Sequence, residues 1–568
     1  MFLSWTASAV LSALPQDPAP TPFVAKDAVV VVQIDGPAAL RTAFAQTRLA
    51  KALRAQAIAQ AWAPLSKEID EVIAEARKEA PFDLDLVLRI LDGYSGRATL
   101  ALHLDAQHAA GPEPGFPGVV VIALAGDGSS DLAGIGETLR KASEGSGAKG
   151  LRDLKAGDVV LRVATEDEIE FTLPAMVEGQ LVSFVGGDLE KRVPRLLALR
   201  PAEGHLPTED QRAKGLHAFV DGKAFLRLLL QLAEENGTDL PMDPATLFAA
   251  LGCDTVRDLH VHAAPAGEHL LVRVSLGYEG TPRGLTAIYA AEDAGAPHLL
   301  PLVPRALPLW SVSPFRIREM FAMVAGVWDL LGDTLPMSRE DGERKFAEFF
   351  KVRLREDLLA HLGDEMLSVV DAGAMAAGRR EAEDAGRGGE DPFAELSGVA
   401  LALELRDAKA FGASFERLIR SRGLHTARKR EEYQGQTVFA QRILGSAGFE
   451  YAITDRVFVI GIGNAGARGL RAILDEEAAR KAGQPPAEMH PDIHARLALC
   501  PKGYEGITCY DLRAYADMFQ HLPAEGPTEG AILKAFQNTL EALSASGLQR
   551  LVSVSYHEKG RLLAYTVW

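Results

Sequence analysis

Cysteine is scarce in this chain of 568 residues, which has only Cys253, Cys500 and Cys509. Three thiols do not make the disulfide framework of a small secreted scaffold, and a chain this long can bury a core without one. Cys509 lies in an apolar, strand-like run and reads as a small buried hydrophobe. A Cys500–Cys509 bridge stays open, because spacing alone does not set disulfide geometry. No apolar run approaches the roughly 18 to 20 residues that a membrane-crossing helix needs. Positive charge is also short: 60 Lys and Arg against 77 Asp and Glu leave a net charge of −17. That balance argues against nucleic acid, or an acidic membrane surface, as a general partner. The sequence has no G-x-S-x-G elbow, Walker loop, zincin helix or CxxC pair. It therefore points to no catalytic residue, no cofactor-binding residue and no metal ligand.

What is present is the composition of a folded protein, 47% apolar and 24% charged. Its length equals roughly three to four ordinary domains. The opening "MFLSWTASAVLSALPQDPAPTP" is a short apolar stretch followed by a Pro-rich polar one, the pattern of an export signal and spacer over residues 1–20. No Lys or Arg precedes the apolar part.

The chain repeats itself over a long period. "TPFVAKDAVVVV" (from Thr21) corresponds to "LPLVPRALPLWSV" (from Leu300), and "GVVVIALAGDGSSDLAGIGETLRKA" (from Gly118) to "GVALALELRDAKAFGASFERLIRS" (from Gly398). "IEFTLPAMVEGQLVSFVGGDLEKRVPRLLA" (from Ile169) matches "FEYAITDRVFVIGIGNAGARGLRAIL" (from Phe449), and "LHAFVDGKAFLRLLLQL" (from Leu216) matches "GITCYDLRAYADMFQHL" (from Gly506). Last, "DLHVHAAPAGEHLLVRVSL" (from Asp258) matches "RLVSVSYHEKGRLLAYTVW" (from Arg550). The expected organisation is repeat unit 1 over 21–280, a linker over 281–300, and repeat unit 2 over 301–568. Residues 371–397, small, charged and Gly-rich, read as a flexible inserted loop. In each copy short strands mix with amphipathic helices, and strands follow one another late in the copy. The longest helical stretches are expected from Arg41 to about Ala80 and from Phe315 to Leu362, the second broken near Pro336. That order predicts an α+β fold: two tandem copies of a mostly antiparallel sheet packed with amphipathic helices.

Several spellings invite a chemical reading. Gly461-x-Gly463-x-x-Gly466 resembles a dinucleotide turn. The repeat, however, sets Gly461 on Val185, Gly463 on Gly187, Gly466 on Glu190 and Gly469 on Val193, so one glycine is shared. The strand also looks like the second arm of an antiparallel hairpin, and the extra glycines read as loose helix packing. Asp221, Asp407 and Asp511 each follow an apolar strand, with Asp35 a looser version. Helix capping explains these acids, with an aromatic residue four positions on as a staple. His490 and His494 with Glu488 could be drawn as a metal trio, but prolines surround them. His260 and His262 alternate on one strand face, and their counterparts fall among Leu551, Val552 and Ser553.

The leader, "DAVVVVQID", the helical stretch ending in "LRILDGYSGRATLAL" or "LLAHLGDEMLSVV", and the strand leading into "DAKAF" together carry a resemblance. The chain resembles a group of exported bacterial envelope proteins of planctomycete type, defined only as a domain of unknown function. The resemblance implies export to the periplasm or beyond, and it brings no activity and no functional residue. The expected function is a non-enzymatic binding or scaffolding module with an envelope or extracellular partner. The alternative is a periplasmic or secreted, hydrolase-like enzyme with its cleft between the repeats.

Overall fold

In the computed structural model the described residues are 28–54, 56–63, 84–104, 118–127, 130–145, 149–166, 169–198, 215–235, 243–290, 295–305, 307–332, 335–375, 396–421, 423–441, 448–485, 488–519, 527–558 and 560–568. The expected leader and most of the expected inserted loop lie outside them.

β1 (Ala28–Asp35) buries alternate residues, as a β-branched run on a half-buried sheet should. Three short helices follow, α1 (Pro37–Gln46), α2 (Arg48–Leu53) and α3 (Gln56–Trp62), so the expected long helix is broken in its described part. Thr47 makes the first break: its backbone is extended, and its hydroxyl accepts from Ala50 N at 3.1 Å, capping α2. The series continues with α4 (Leu84–Gly93), β2 (Arg97–Leu104), β3 (Gly118–Ala125), α5 (Leu132–Gly145), β4 (Lys149–Ala156), β5 (Val159–Glu166), β6 (Ile169–Thr172), β7 (Ala175–Val177), β8 (Gln180–Gly186) and α6 (Leu189–Ala198). It ends with β9 (Leu216–Asp221), α7 (Gly222–Glu235), α8 (Pro244–Ala250), β10 (Val256–Ala266) and β11 (His269–Tyr278), after which α9 (Leu285–Tyr289) leads on.

A second series begins with β12 (Leu309–Pro314), α10 (Ile317–Leu331) and α11 (Arg339–Phe350), the two helices being separated around Pro336 as expected. Then come β13 (Leu362–Val370), β14 (Val399–Leu405), α12 (Ala408–Ser421), β15 (Lys429–Tyr433), β16 (Gln436–Gln441), β17 (Phe449–Ile453), β18 (Val457–Ile462) and α13 (Gly463–Lys481). It closes with α14 (Pro491–Leu497), β19 (Gly506–Asp511), α15 (Leu512–Phe519), α16 (Pro527–Ala545), β20 (Arg550–Glu558) and β21 (Arg561–Val567).

The fold is α+β, and its paired strands are antiparallel. Pairing in the first series runs β10–β9–β1–β2–β3–β8–β6–β5–β4. In the second it runs β20–β19–β12–β13–β14–β18–β17–β16–β15. Position by position the two orders correspond, with β7 an extra arm on β8.

By packing the chain forms two compact units, drawn differently from the two expected repeat units. One takes in the described residues within Met1–Phe44, Val72–Asp221 and His260–Ala264. The other takes in those within Ala45–Glu71, Gly222–Leu259 and Pro265–Trp568. The first unit's core includes Val31, Ala101, Val121, Leu161, Val182, Phe184, Leu189 and Phe219. The second unit's main core includes Trp310, Val312, Leu367, Ala402, Val459, Leu470, Ile507, Val552 and Val554. Among the described residues no helix is long and apolar enough to cross a membrane.

Candidate functional site

In the first unit the sheet face that buries Val31 and Phe219 turns polar toward one end. Gln33 and Asp35 follow Val31 at strand spacing on β1, and their partners on β2 are Thr99 and Arg97. Gln33 also pairs with His217 of β9. Asp35 Oδ1 accepts from Arg97 Nε at 2.5 Å, and His217 Nε2 lies 3.4 Å from Asp35 Oδ2. With its amide oxygen turned to Arg97, Gln33 accepts from Nη1 and Nη2 at 3.0 and 3.2 Å. His262 stacks on His217 with ring centroids 4.4 Å apart, and His260 stands edge-on to Phe219 at 5.1 Å. The group is closed: side-chain exposure is 2% for His217, 8% for Arg97 and 12% for Asp35. Burial pushes the Asp35 carboxyl up, but the hydrogen bond from His217 and the charge and hydrogen bond of Arg97 outweigh it, so the acid is held below its ordinary range.

The second series fills most of the same register with carbon. Val312 sits between Leu367 and Ile507 as Gln33 sits between Thr99 and His217. Val552 and Val554 pair with Cys509 and Ile507, the places that His260 and His262 take beside Phe219 and His217. Pro314 faces Glu365 where Asp35 faces Arg97. At the Gln33, His217, His260 and His262 positions an aliphatic set therefore packs, and polar side chains there are not demanded by the strand order. Above the cluster, the strand ends are tied by Asp35 N to Gly215 O at 3.0 Å and Gly36 N to Gly96 O at 2.9 Å. An exposed rim of Ser95, Ser130 and Asp127, linked at 3.2 and 2.9 Å, stands beside them.

A second polar group lies in the second unit, along β10, β11, β20 and β21. Arg561 donates to Ser275 Oγ at 2.7 Å and lies 3.3 Å from Asp258, whose carboxylate also takes Arg257 Nε at 2.5 Å. Tyr278 Oη and His557 Nε2 are 2.5 Å apart. Glu505, 5% exposed, accepts from the backbone N–H of His557, and burial pushes its carboxyl up to about 7.

The residues singled out in the sequence fall as follows. Gly461 lies on β18, whose neighbours β14 and β17 are both antiparallel, so the βαβ context of a dinucleotide site is replaced by a hairpin. Strand register sets Gly461 against Phe184 and Gly463 against Gly186, one residue away from the alignment made in sequence. The helix packing is close, not loose: a Cβ on Gly461 would stand 2.1 Å from Gly466 O, and one on Gly466 2.5 Å from Val399 O. Gly463 opens α13 at φ +69°, a conformation that favours glycine.

Asp407 Oδ1 accepts from Ala410 N at 2.9 Å, and Asp511 Oδ1 from Arg513 and Ala514 N at 3.1 and 3.2 Å, so both cap their helices. The Tyr510 and Tyr515 rings pack 5.6 Å apart as the staple. Asp221 ends β9 as Asp511 ends β19. Asp35 departs from the capping pattern, because its carboxylate is taken by Arg97 and His217. His490 caps α14, its Nδ1 accepting from Asp492 N at 3.2 Å. Among the described residues no three acids, histidines or cysteines are placed to hold a metal. Cys253, Cys500 and Cys509 are free thiols, and burial pushes Cys500 and Cys509 up to about 11. Sequence reasoning missed Gln33, Arg97 and His217. Comparing them with Val312, Glu365 and Ile507 carries the signal.

No family model matches the chain, and no curated protein does. Solved structures of TP0453 are similar to part of it. Crystal form III is 11% identical over 48% of this chain and 83% of that one, with a TM-score of 0.25. Crystal form I is 12% identical over 47% and 81%, with a TM-score of 0.23.

Proposed function

We propose that the chain is an exported, non-enzymatic envelope protein built from two copies of one α+β unit, in which the first copy binds and the second is structural. The observation that carries this reading is the same strand order occurring twice, with Val312, Ile507 and Val554 on one core face and Gln33, His217 and His262 at the counterpart positions, beside the Asp35–Arg97 pair. Burying charges costs free energy that an aliphatic set avoids, so the polar set has to be maintained for something other than folding. Its closure supports binding over catalysis: Asp35 is engaged by Arg97 and His217 and is not aimed at an open site. The cluster fixes the strand ends, and the Ser95–Ser130–Asp127 rim is where a partner would be met. Export rests on the apolar leader and Pro-rich spacer.

The alternative, a hydrolase-like enzyme, would centre on Glu505 and His557, since a carboxyl titrating near 7 suits acid–base chemistry. Native mass spectrometry of protein taken from the envelope fraction separates the two readings. Binding predicts a chain processed within its first twenty or so residues and carrying a stoichiometric extra mass. Unprocessed chain in the cytosol, bare of any partner, would overturn the proposal.

A further inference from the structure

Within the second compact unit, β11 pairs antiparallel with β21: Leu271 faces Val567, Arg273 faces Tyr565 and Ser275 faces Leu563. In the match of Asp258–Leu276 to Arg550–Trp568, Leu271 corresponds to Leu563, Arg273 to Tyr565 and Ser275 to Val567. Each strand thus pairs with its own counterpart, and the register turns about the Arg273–Tyr565 pair. That is the local geometry of a two-fold dimer contact, in which one patch meets a second copy of itself.

The helices of the same unit repeat the relation independently. α3, an early helix of the first series, lies on α16, a late helix of the second. Trp62 Nε1 donates to Thr539 Oγ1 at 2.9 Å, and Ala52 and Ile58 share a core with Leu512, Ala516, Leu540 and Leu543. α10, an early helix of the second series, lies on α8, a late helix of the first. The exchange is reciprocal, as a two-fold relation requires.

We infer that the chain is a homodimer fused into one polypeptide, an inference that rests on the two-copy reading. The β11 and β21 edges are interaction surfaces whose fitting partner is a second copy of the same unit, and the link at 291–294 is dispensable for holding the halves together. Alone, either edge would leave a row of unpaired backbone groups beside Leu and Val side chains, which pairing covers. The two ends of the strand pair have since diverged. One carries Arg561 with Ser275 and Asp258, and the other carries Arg48 with Glu268 and His269 Nδ1 3.2 Å from Trp568 O.

The test uses the full chain with a specific protease site placed at 291–294. After cutting, native mass spectrometry should find the two fragments as one species with the mass of the intact chain plus the one water added by hydrolysis. Val274→Asp with Ala564→Asp puts like charges directly across the strand pair and should let the cut fragments separate. Val274→Lys with Ala564→Asp should keep them joined. Fragments that part on cutting, or that stay joined despite the paired aspartates, overturn the fused dimer. Either result leaves the two-copy reading, which rests on strand order, and the binding proposal, which rests on a copurified partner, standing.

Discussion

Asp35 and Arg97 face each other across β1 and β2 as a 2.5 Å ion pair, and the same register in the second series holds Pro314 and Glu365. A pair this well buried is costly to break from one side. Arg97→Leu strands the Asp35 carboxylate and should cost about 3–5 kcal/mol, whereas adding Asp35→Ala should recover much of that loss. A double-mutant cycle in urea decides it; two independent, additive losses would contradict the pairing. Because the folded Asp35 titrates below its ordinary value, its contribution is present above the unfolded value and is lost as pH falls through the folded one.

Glu505 has the opposite sign. Its carboxyl is raised from 4.5 to about 7 in the fold, so folding favours the protonated form. Stability should fall as pH rises between those values, by about 3 kcal/mol in total, and then level off. Glu505→Gln should match the parent at pH 4 and exceed it at pH 8, read from unfolding midpoints. A constant difference across that range would contradict a buried, titrating Glu505.

Asp407→Ala and Asp511→Ala should each cost about 0.5–2 kcal/mol, because each strands N–H groups of the helix that its carboxylate caps. Chemical denaturation measures both. A neutral or stabilising substitution would assign that acid a different role.

Gly461→Ala should destabilise by roughly 1–3 kcal/mol, since the new methyl meets the Gly466 carbonyl. NAD, FAD and ATP should leave the melting temperature unchanged, whereas saturable stabilisation would restore a nucleotide role to the turn.

The mixture of strands and helices and the caps at Asp407 and Asp511 were legible in sequence because they are local. Strand runs, turn residues and an acid before a helix each act over a few positions. The polar cluster was not legible in the same way. Asp35 looks like another strand-end cap until β2 and β9 bring Arg97 and His217 beside it, and those residues lie far away along the chain. His260 and His262 read in sequence as an alternating pair, but their ring partners are Phe219 and His217 on β9. The one-residue shift at Gly461 has a similar cause, because strand register is set by the buried face and not by the glycine spelling.

In the proposed function the first copy's polar face serves recognition and not folding. The direct measurement is to give it the second copy's residues, Gln33→Val, Thr99→Leu, His217→Ile, His260→Val and His262→Val, with Asp35→Ala and Arg97→Leu to remove the charges together. Unfolding and native mass spectrometry are then run on the grafted chain and its parent, both taken from the envelope fraction. The grafted chain should fold cooperatively and come out bare, beside a parent that carries its partner. A grafted chain that fails to fold, or that retains the same partner mass, would contradict it.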